Sequence, residues 1–171
     1  MNTKNNSRRR ESVARIQKVF VEMLQTQELG KITVSDICKA ADINRSTFYA
    51  NYLDVYDLAD KLRTQFEDDF SEQFADYNTA TDQNGAYRMF CHIKENQLFY
   101  KTYFKLCYDE KHLVLTYDPR QAAGSDDSSL KYRIEFFRNG FNAIVRMWLT
   151  GGCQESPEEM AQILKEEYRG R

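Results

Sequence analysis

Residues that interrupt helices are scarce in this sequence, which has two prolines and seven glycines among its 171 residues. Proline and glycine destabilise helix interiors more than any other residues, so their scarcity permits long helices. Alternation of apolar and polar residues, the pattern of a strand, never extends beyond a few positions. The sequence therefore predicts an all-α fold.

Cysteine and histidine are also too few and too scattered to suggest a metal site. The four cysteines contain no C-x-x-C pair, which favours buried free thiols. Neither His92 nor His112 has a Cys, Asp or Glu at a ligating spacing on the same helical face. No motif groups a nucleophile with a base, and no glycine-rich loop is present to hold a phosphate. We expect no metal, no cofactor and no enzyme activity.

Long apolar runs are absent as well. None approaches the roughly 20 residues that span a membrane. Residues 2–12 are almost all polar, unlike the apolar centre of a secretory signal. We expect a cytoplasmic protein without a membrane partner.

The whole chain has a net charge of −2, but its basic residues are concentrated at the N-terminal end. Residues 1–50 carry nine Lys or Arg and five Asp or Glu, a net charge of +4, which leaves −6 for the remainder. Such an asymmetry is typical of a basic surface that faces a polyanion such as DNA.

Apolar residues at i, i+3, i+4, i+7 and i+8 predict a first amphipathic helix, which is expected to end near Gly30. These residues are Ile16, Val19, Phe20, Met23 and Leu24. The polar residues 1–7 are expected to form a disordered arm. It leads into the basic run Arg8, Arg9 and Arg10, for which a solvated charge cluster is one interpretation.

Two short helices joined by a tight turn are predicted in segment 33–52. Thr33, with Asp36 three residues later, is a capping box for the first helix, and Asn44 is the expected cap of the second. The inward face is formed by Ile37, Ala40, Ala41, Ile43 and Phe48. The outward polar residues of the second helix are Arg45, Ser46, Thr47 and Asn51. This is the pattern of a helix-turn-helix, in which the second helix enters the major groove.

The segment resembles the TetR/AcrR family of bacterial regulators. T-V-S-D-I at 33–37 and I-N-R-S-T-F-Y at 43–49 carry the resemblance, and residues 140–164 resemble the dimerising helices of one branch of the family. It implies a helix-turn-helix domain at 1–53 and a helical dimerisation and sensing domain at 54–171.

The resemblance also implies roles for single residues. Thr33 and its neighbouring amides would hold one phosphate and the Tyr49 hydroxyl a second. Arg45 would make paired hydrogen bonds to a guanine. The whole set expected at the DNA is Thr33, Asn44, Arg45, Ser46, Thr47, Tyr49 and Asn51, with Arg8, Arg9 and Arg10 of the arm. The resemblance implies that these three arginines lie on the DNA backbone or in the minor groove, and the alternative is the solvated charge cluster.

Three positions depart from the family pattern. Asp42 stands in the turn where glycine is usual, and it can still enter the left-handed region. Asn44 replaces a capping serine. Val55 replaces a lysine, so the phosphate contact that the family makes at the fourth helix is in doubt here.

The C-terminal part is predicted to be helical and rich in aromatic residues. Asp54 caps a fourth helix, residues 86–108 form a helix with a kink near Asn96, and residues 109–129 form a loop. A ligand pocket is expected at Tyr87, Phe90, Tyr100, Tyr103, Phe104 and Phe137. The alternative is that these aromatics are the core of a small helical domain.

The strongest predicted helix, 130–150, is apolar on two faces and is followed by a last helix that opens with a capping box at Ser156 and Glu159. A helix with two apolar faces needs two partners, which predicts a homodimer. The expected interface is Phe136, Gly140, Phe141, Ala143, Ile144, Met147, Trp148, Met160, Ile163 and Leu164. The alternative is that both faces are buried within one subunit.

These features predict a homodimeric regulator of transcription that binds a palindromic double-stranded DNA operator. Its half-sites would lie about one helical turn, or a multiple of it, apart. Since most of the family represses, we expect a repressor controlled by an unknown effector that binds the C-terminal domain. The alternative is a regulator or co-activator whose C-terminal domain docks a protein rather than a small molecule.

Overall fold

The structure, a computed structural model, describes residues 4–73, 84–107 and 130–168. The predicted loop at 109–129 and His112 lie outside the described residues. The fold is all-α as predicted, and these three ranges contain no strand. The chain packs as two compact units, Met1–Asp68 with Thr102–Tyr108, and Asp69–Lys101 with Asp109–Arg171. The functional division after residue 53 stays a prediction.

The first unit contains the predicted helix-turn-helix. Its helices are α1 (Lys4–Thr26), α2 (Val34–Ala40), α3 (Arg45–Tyr49) and α4 (Val55–Gln73), with a 3-10 turn at Leu29–Lys31 between α1 and α2. Phe20, Ile37, Phe48 and Tyr52 are buried, as predicted. Val55, Leu58 and Leu62 join the same core, which is why this unit extends beyond residue 53.

Two details of the first unit differ from the predictions. The helix α1 begins at Lys4, so residues 4–7 belong to a helix rather than to a disordered arm. The Ser7 hydroxyl donates to Glu11 Oε1 at 3.1 Å, a contact one helical turn apart that supports this first turn. Ala40 is exposed, and Cys38 and Ala41 are buried with Ile37.

The second unit is formed around α5 (Gly85–Glu95), the start of α6 (Gln97–Leu106), α7 (Leu130–Thr150) and α8 (Pro157–Tyr168). The break expected near Asn96 separates α5 from α6. The core is aromatic: the Phe90 ring lies 5.9 Å from that of Phe141 and 5.4 Å from that of Trp148, centroid to centroid.

The connection between α7 and α8 forms as predicted. Gly152 takes a φ of +81°, a left-handed conformation in which glycine has no Cβ penalty. The capping box at the start of α8 is complete, because Ser156 N–H donates to Glu159 Oε2 at 2.7 Å and Glu159 N–H donates to Ser156 Oγ at 3.2 Å.

The helix α6 contributes to both units, since its last residues, Thr102–Leu106, pack in the first. Gln25 Nε2 donates to Thr102 Oγ1 at 3.1 Å, and Leu106 is fully buried in the first core. Lys105 Nζ donates to the carbonyls of Leu24 and Gln25. A cation at the last carbonyls of α1 is favourable, because they carry the negative end of the helix dipole.

Candidate DNA interface and regulatory unit

The start of α2 is held by Thr33, in agreement with the predicted cap. Its backbone is extended, with φ −113° and ψ 153°, and its Oγ1 accepts the Asp36 N–H at 3.2 Å. The hydroxyl hydrogen is donated to Asp36 Oδ2 at 2.6 Å. Both hydrogen bonds of the Thr33 hydroxyl are therefore to Asp36. The carboxylate of Asp36 accepts from this hydroxyl rather than from the Thr33 N–H, which differs from the predicted capping box.

The turn between α2 and α3 depends on Asp42. This residue has a φ of 51°, the left-handed conformation that was predicted for it. Ile43 N–H donates to Cys38 O at 3.0 Å and closes the turn. Arg15 Nη1, from α1, donates to the carbonyls of Ala41 and Asp42 at 3.4 and 3.5 Å. The sequence analysis missed this arginine, because its partners lie 26 and 27 residues away.

The recognition helix α3 is short and presents its polar residues to solvent. Phe48 is fully buried and fixes the inner side of the helix. Arg45, Ser46 and Tyr49 are exposed, and Thr47 is half-buried. The helix ends at Tyr49, and Tyr52, whose N–H donates to Phe48 O at 3.0 Å, is buried in the core.

Asn44 occupies the N-cap position of α3, but not in the way that was predicted. Its backbone is extended, with φ −78° and ψ 151°, while its side chain makes no capping hydrogen bond. The carbonyl of Asn44 accepts from Thr47 N–H at 3.0 Å and from Phe48 N–H at 3.3 Å. The side chain is exposed and remains available to a ligand outside the protein.

Asn51, which was predicted to face DNA, is half-buried and makes two hydrogen bonds within the protein. Its Oδ1 accepts from Arg9 Nε at 2.8 Å, and its Nδ2 donates to Thr47 O at 2.8 Å. Arg8, Arg9 and Arg10 all lie on α1 and are exposed. The basic run therefore lies on a helix, and Arg9 contacts a residue that closely follows α3.

The start of α4 carries charges that sequence reasoning missed. Asp54 Oδ1 accepts the Asp57 N–H at 2.8 Å, which confirms Asp54 as the cap. Lys61 donates to Asp57 Oδ2 at 2.8 Å, and this hydrogen bond holds the pKa of the Asp57 carboxyl below its usual range. Lys61 Nζ also donates to Asn51 O at 3.1 Å. Val55 is buried, so its side chain packs in the core at the position where the family has lysine.

The predicted pocket aromatics are divided between the two units. Tyr87, Phe90, Tyr100 and Phe137 belong to the second unit, whereas Tyr103 and Phe104 belong to the first. Phe90, Tyr100 and Tyr103 are fully buried. Burial raises the pKa of Tyr100, and its hydroxyl lies 2.7 Å from Nδ1 of His92, whose pKa burial lowers. These three aromatics have the burial expected for the core alternative, and the ligand pocket stays a prediction.

The second unit holds one buried polar side chain that the sequence analysis overlooked. Asn142 on α7 is 3% exposed, and within the described part of the chain neither its Nδ2 nor its Oδ1 has a hydrogen-bond partner. One turn earlier, Nε of Arg138 is also buried without a partner. Buried amides without partners are rare in folded proteins, because each costs about 1–3 kcal/mol.

The two apolar faces of α7 differ in exposure, which the sequence could not show. Phe141 and Trp148 are buried within the chain, and so are Met160 and Leu164 of α8. These four residues were expected at the dimer interface, but they pack in the core of their own unit. The neighbouring face of α7 is open: Phe136 and Met147 are 60% and 72% exposed, Ala143 is exposed, and Gly140 is half-buried. Ile144 is also half-buried, and Ile163 of α8 is 42% exposed.

No group of three or more His, Cys, Asp or Glu side chains within residues 4–73, 84–107 and 130–168 could hold a metal ion. None of the helices described in these ranges is long and apolar enough to cross a membrane.

Comparisons with known proteins identify the C-terminal part of the chain and the overall fold. Residues 80–167 match the family model of the C-terminal region of TetR-type transcriptional regulators. The chain is 33% identical over 101 residues to the HTH-type dhaKLM operon transcriptional activator DhaS of Lactococcus lactis. That alignment covers 58% of this chain, and the chain spans about half, 52%, of that relative.

A solved structure has a similar fold over most of its length. It is described as the dihydroxyacetone kinase operon activator DhaS, and the superposition has a TM-score of 0.51. It covers 91% of this chain and 93% of that chain at 23% sequence identity. Both named proteins are activators of transcription, whereas the sequence analysis expected a repressor.

Proposed function

Because the chain belongs to the TetR family of transcriptional regulators, we propose that it is a dimeric regulator that reads a palindromic DNA operator with its helix-turn-helix. The single observation that carries this proposal is the recognition helix, in which buried Phe48 fixes a short helix while Arg45 and Ser46 face solvent. An α-helix that is anchored on one side and polar on the other suits the major groove.

The residues of the helix-turn-helix have different roles in this proposal. Arg45 reads a guanine through paired hydrogen bonds, and Ser46 and Thr47 face the neighbouring bases. Tyr49, whose side chain is 55% exposed, holds a phosphate and carries no sequence information. Thr33 and Asn44 line the entrance to the groove.

The proposed homodimer uses the open face of α7. Phe136, Gly140, Ala143 and Met147 recur at steps of 4, 3 and 4, so they form one stripe along the helix. Small residues within such a stripe allow a second helix to approach closely. Ile163 adds an exposed apolar side chain from α8. A two-fold axis would pair α7 and α8 with the same helices of a second copy.

The sign of regulation is proposed from the named relatives. Since both are activators, we infer that this chain activates transcription, in the bacterial cytoplasm where its DNA lies. An effector of the second unit would act through α6, whose last residues hold the end of α1 through Thr102 and Lys105. A small displacement of that helix would move the recognition helices relative to two half-sites one turn apart.

Two kinds of effector are compatible with this mechanism. The unpartnered amide of Asn142 favours a small molecule with both donor and acceptor groups. The alternative is a protein that docks on the second unit. Native mass spectrometry of protein purified from its host separates them, because a retained small molecule supports the first and a co-purifying protein the second.

Selection of bound sequences from random DNA tests the proposed function. On the selected site, Arg45→Ala is expected to cost about 1–3 kcal/mol and to relax the preference at one position per half-site. Tyr49→Phe is expected to weaken binding to all sequences alike, since phosphate contacts are independent of sequence. If both variants bind the selected site as the wild type does, the proposed roles are wrong.

A further inference from the structure

The core-facing side of α1 continues into the arginine run. Residues 9, 13, 16 and 20 are spaced by 4, 3 and 4, which places Arg9 on the side of the helix that buries Ile16 and Phe20. Arg9 itself is exposed. Its guanidinium therefore lies at the rim of the core, where α1 meets the residues that follow the recognition helix.

The side chain of Asn51 connects Arg9 to the recognition helix. Its Oδ1 accepts from Arg9 Nε at 2.8 Å, and its Nδ2 donates to the carbonyl of Thr47 at 2.8 Å. The last carbonyls of a helix have no partner within the helix, and they favour a nearby positive charge. Asn51 thus satisfies one such carbonyl and links it to a cation on another helix.

A second arginine of α1 contacts the other end of the motif. Arg15 donates to the carbonyls of Ala41 and Asp42, in the turn that precedes the recognition helix. Since α3 has only five residues, few of its own hydrogen bonds fix its direction. Arg15 before α3 and Arg9 after it therefore hold both ends of the recognition helix against α1.

We propose that Arg9 is a positioning residue that acts through Asn51, and that Asn51 does not read a base. The inference rests on the proposed DNA-binding function. A change in the pair would tilt or loosen α3 and lower affinity for the preferred site, where side chains must meet base edges. Binding to other sequences would change little, because it depends on phosphate contacts.

The test separates the effect of the positive charge of Arg9 from the effect of the hydrogen bond that its Nε donates. Arg9→Lys keeps the charge but has no N–H at the Nε position, and Asn51→Ala removes the partner. Affinities are measured by fluorescence anisotropy, on the site selected from random DNA and on a scrambled duplex, at several salt concentrations. Arg88→Lys, an exposed arginine on α5, is the matched control.

Arg9→Lys and Asn51→Ala are each expected to weaken binding to the selected site by about tenfold, the usual size of a hydrogen bond to a charged group. The double variant should be no weaker than either single variant, since both remove the same link. Affinity for the scrambled duplex and the salt slope should stay as in the wild type. Asn51→Asp, which still accepts from Arg9 but cannot donate to Thr47 O, should have an intermediate effect.

Three results would contradict the proposal that Arg9 positions the recognition helix through Asn51. If Arg9→Lys binds as the wild type does while Arg9→Ala lowers the salt slope by about 0.9, Arg9 is a phosphate contact. Asn51→Ala relaxing the preference at one base position would make Asn51 a base reader. Additive effects of the two single variants would mean that the residues act separately. If the wild-type chain selects no sequence at all, the proposed function fails, and the pair fails with it.

Discussion

Replacing Met147 by glutamate tests the proposed dimer face directly. Met147 is 72% exposed in one chain. Complete burial of a methionine side chain contributes about 1.5–3 kcal/mol, so covering the exposed part contributes about 1–2 kcal/mol per subunit. Because a two-fold axis uses each residue twice, the dimer loses about 2–4 kcal/mol. Met147→Glu should therefore raise the dimer dissociation constant about 30- to 1000-fold.

Sedimentation velocity across the micromolar range measures this change, with circular dichroism to check that the variant is folded. Gln154→Glu adds the same charge on the exposed turn between α7 and α8 and is the control. Gly140→Arg, which places a bulky charge in the same stripe, should also give a folded monomer with little affinity for the operator. A Met147→Glu chain that dimerises like the wild type, or a wild-type chain that is a monomer at micromolar concentration, would refute the proposed face.

Three further predictions concern the stability of each unit. Burial lowers the pKa of His92 in the folded chain. The contribution of neutral His92 to stability is therefore present above its unfolded pKa of about 6.5 and is lost as the pH falls below that value. The melting temperature should fall less between about pH 7.5 and 5.5 in His92→Gln than in the wild type, and an equal fall in the two proteins would contradict this. Asn142→Leu should raise the free energy of unfolding in urea by about 1–3 kcal/mol, and a decrease would mean that the amide has a partner. Asp42→Gly should change the free energy of unfolding by less than about 1 kcal/mol. Asp42→Val should lower it by about 1–3 kcal/mol, because a β-branched residue is strained at a φ of 51°. Equal effects of the two substitutions would refute the argument from backbone strain.

The features that the sequence predicted well are those with local causes. The cap at Thr33, the left-handed Asp42, the break at Asn96 and the capping box at Ser156 each depend on residues within a few positions of one another. Burial of Phe48 followed from helical spacing alone. In each case the signal and the structure lie within one or two turns of helix, so no long-range packing had to be known.

The features that escaped prediction depend on contacts between distant residues. Periodicity showed that α7 is apolar on two sides, but the packing of Phe90 against Phe141 and Trp148 decides which side is buried. The arginine run was interpreted as a flexible arm, because composition cannot show that Arg9 has a partner 42 residues away. Asn142 was not predicted because the polar residues of an amphipathic helix are usually exposed.

The environment of Trp148 gives this chain an intrinsic optical probe. It is the single tryptophan in the sequence, it is 3% exposed, and its indole N–H donates to Glu155 O at 3.3 Å. Its emission therefore reports on the second unit alone, while far-ultraviolet circular dichroism reports on the helices of both. If the two signals change at different denaturant concentrations, the units unfold separately. Coincident curves would mean that the whole chain unfolds in one cooperative transition.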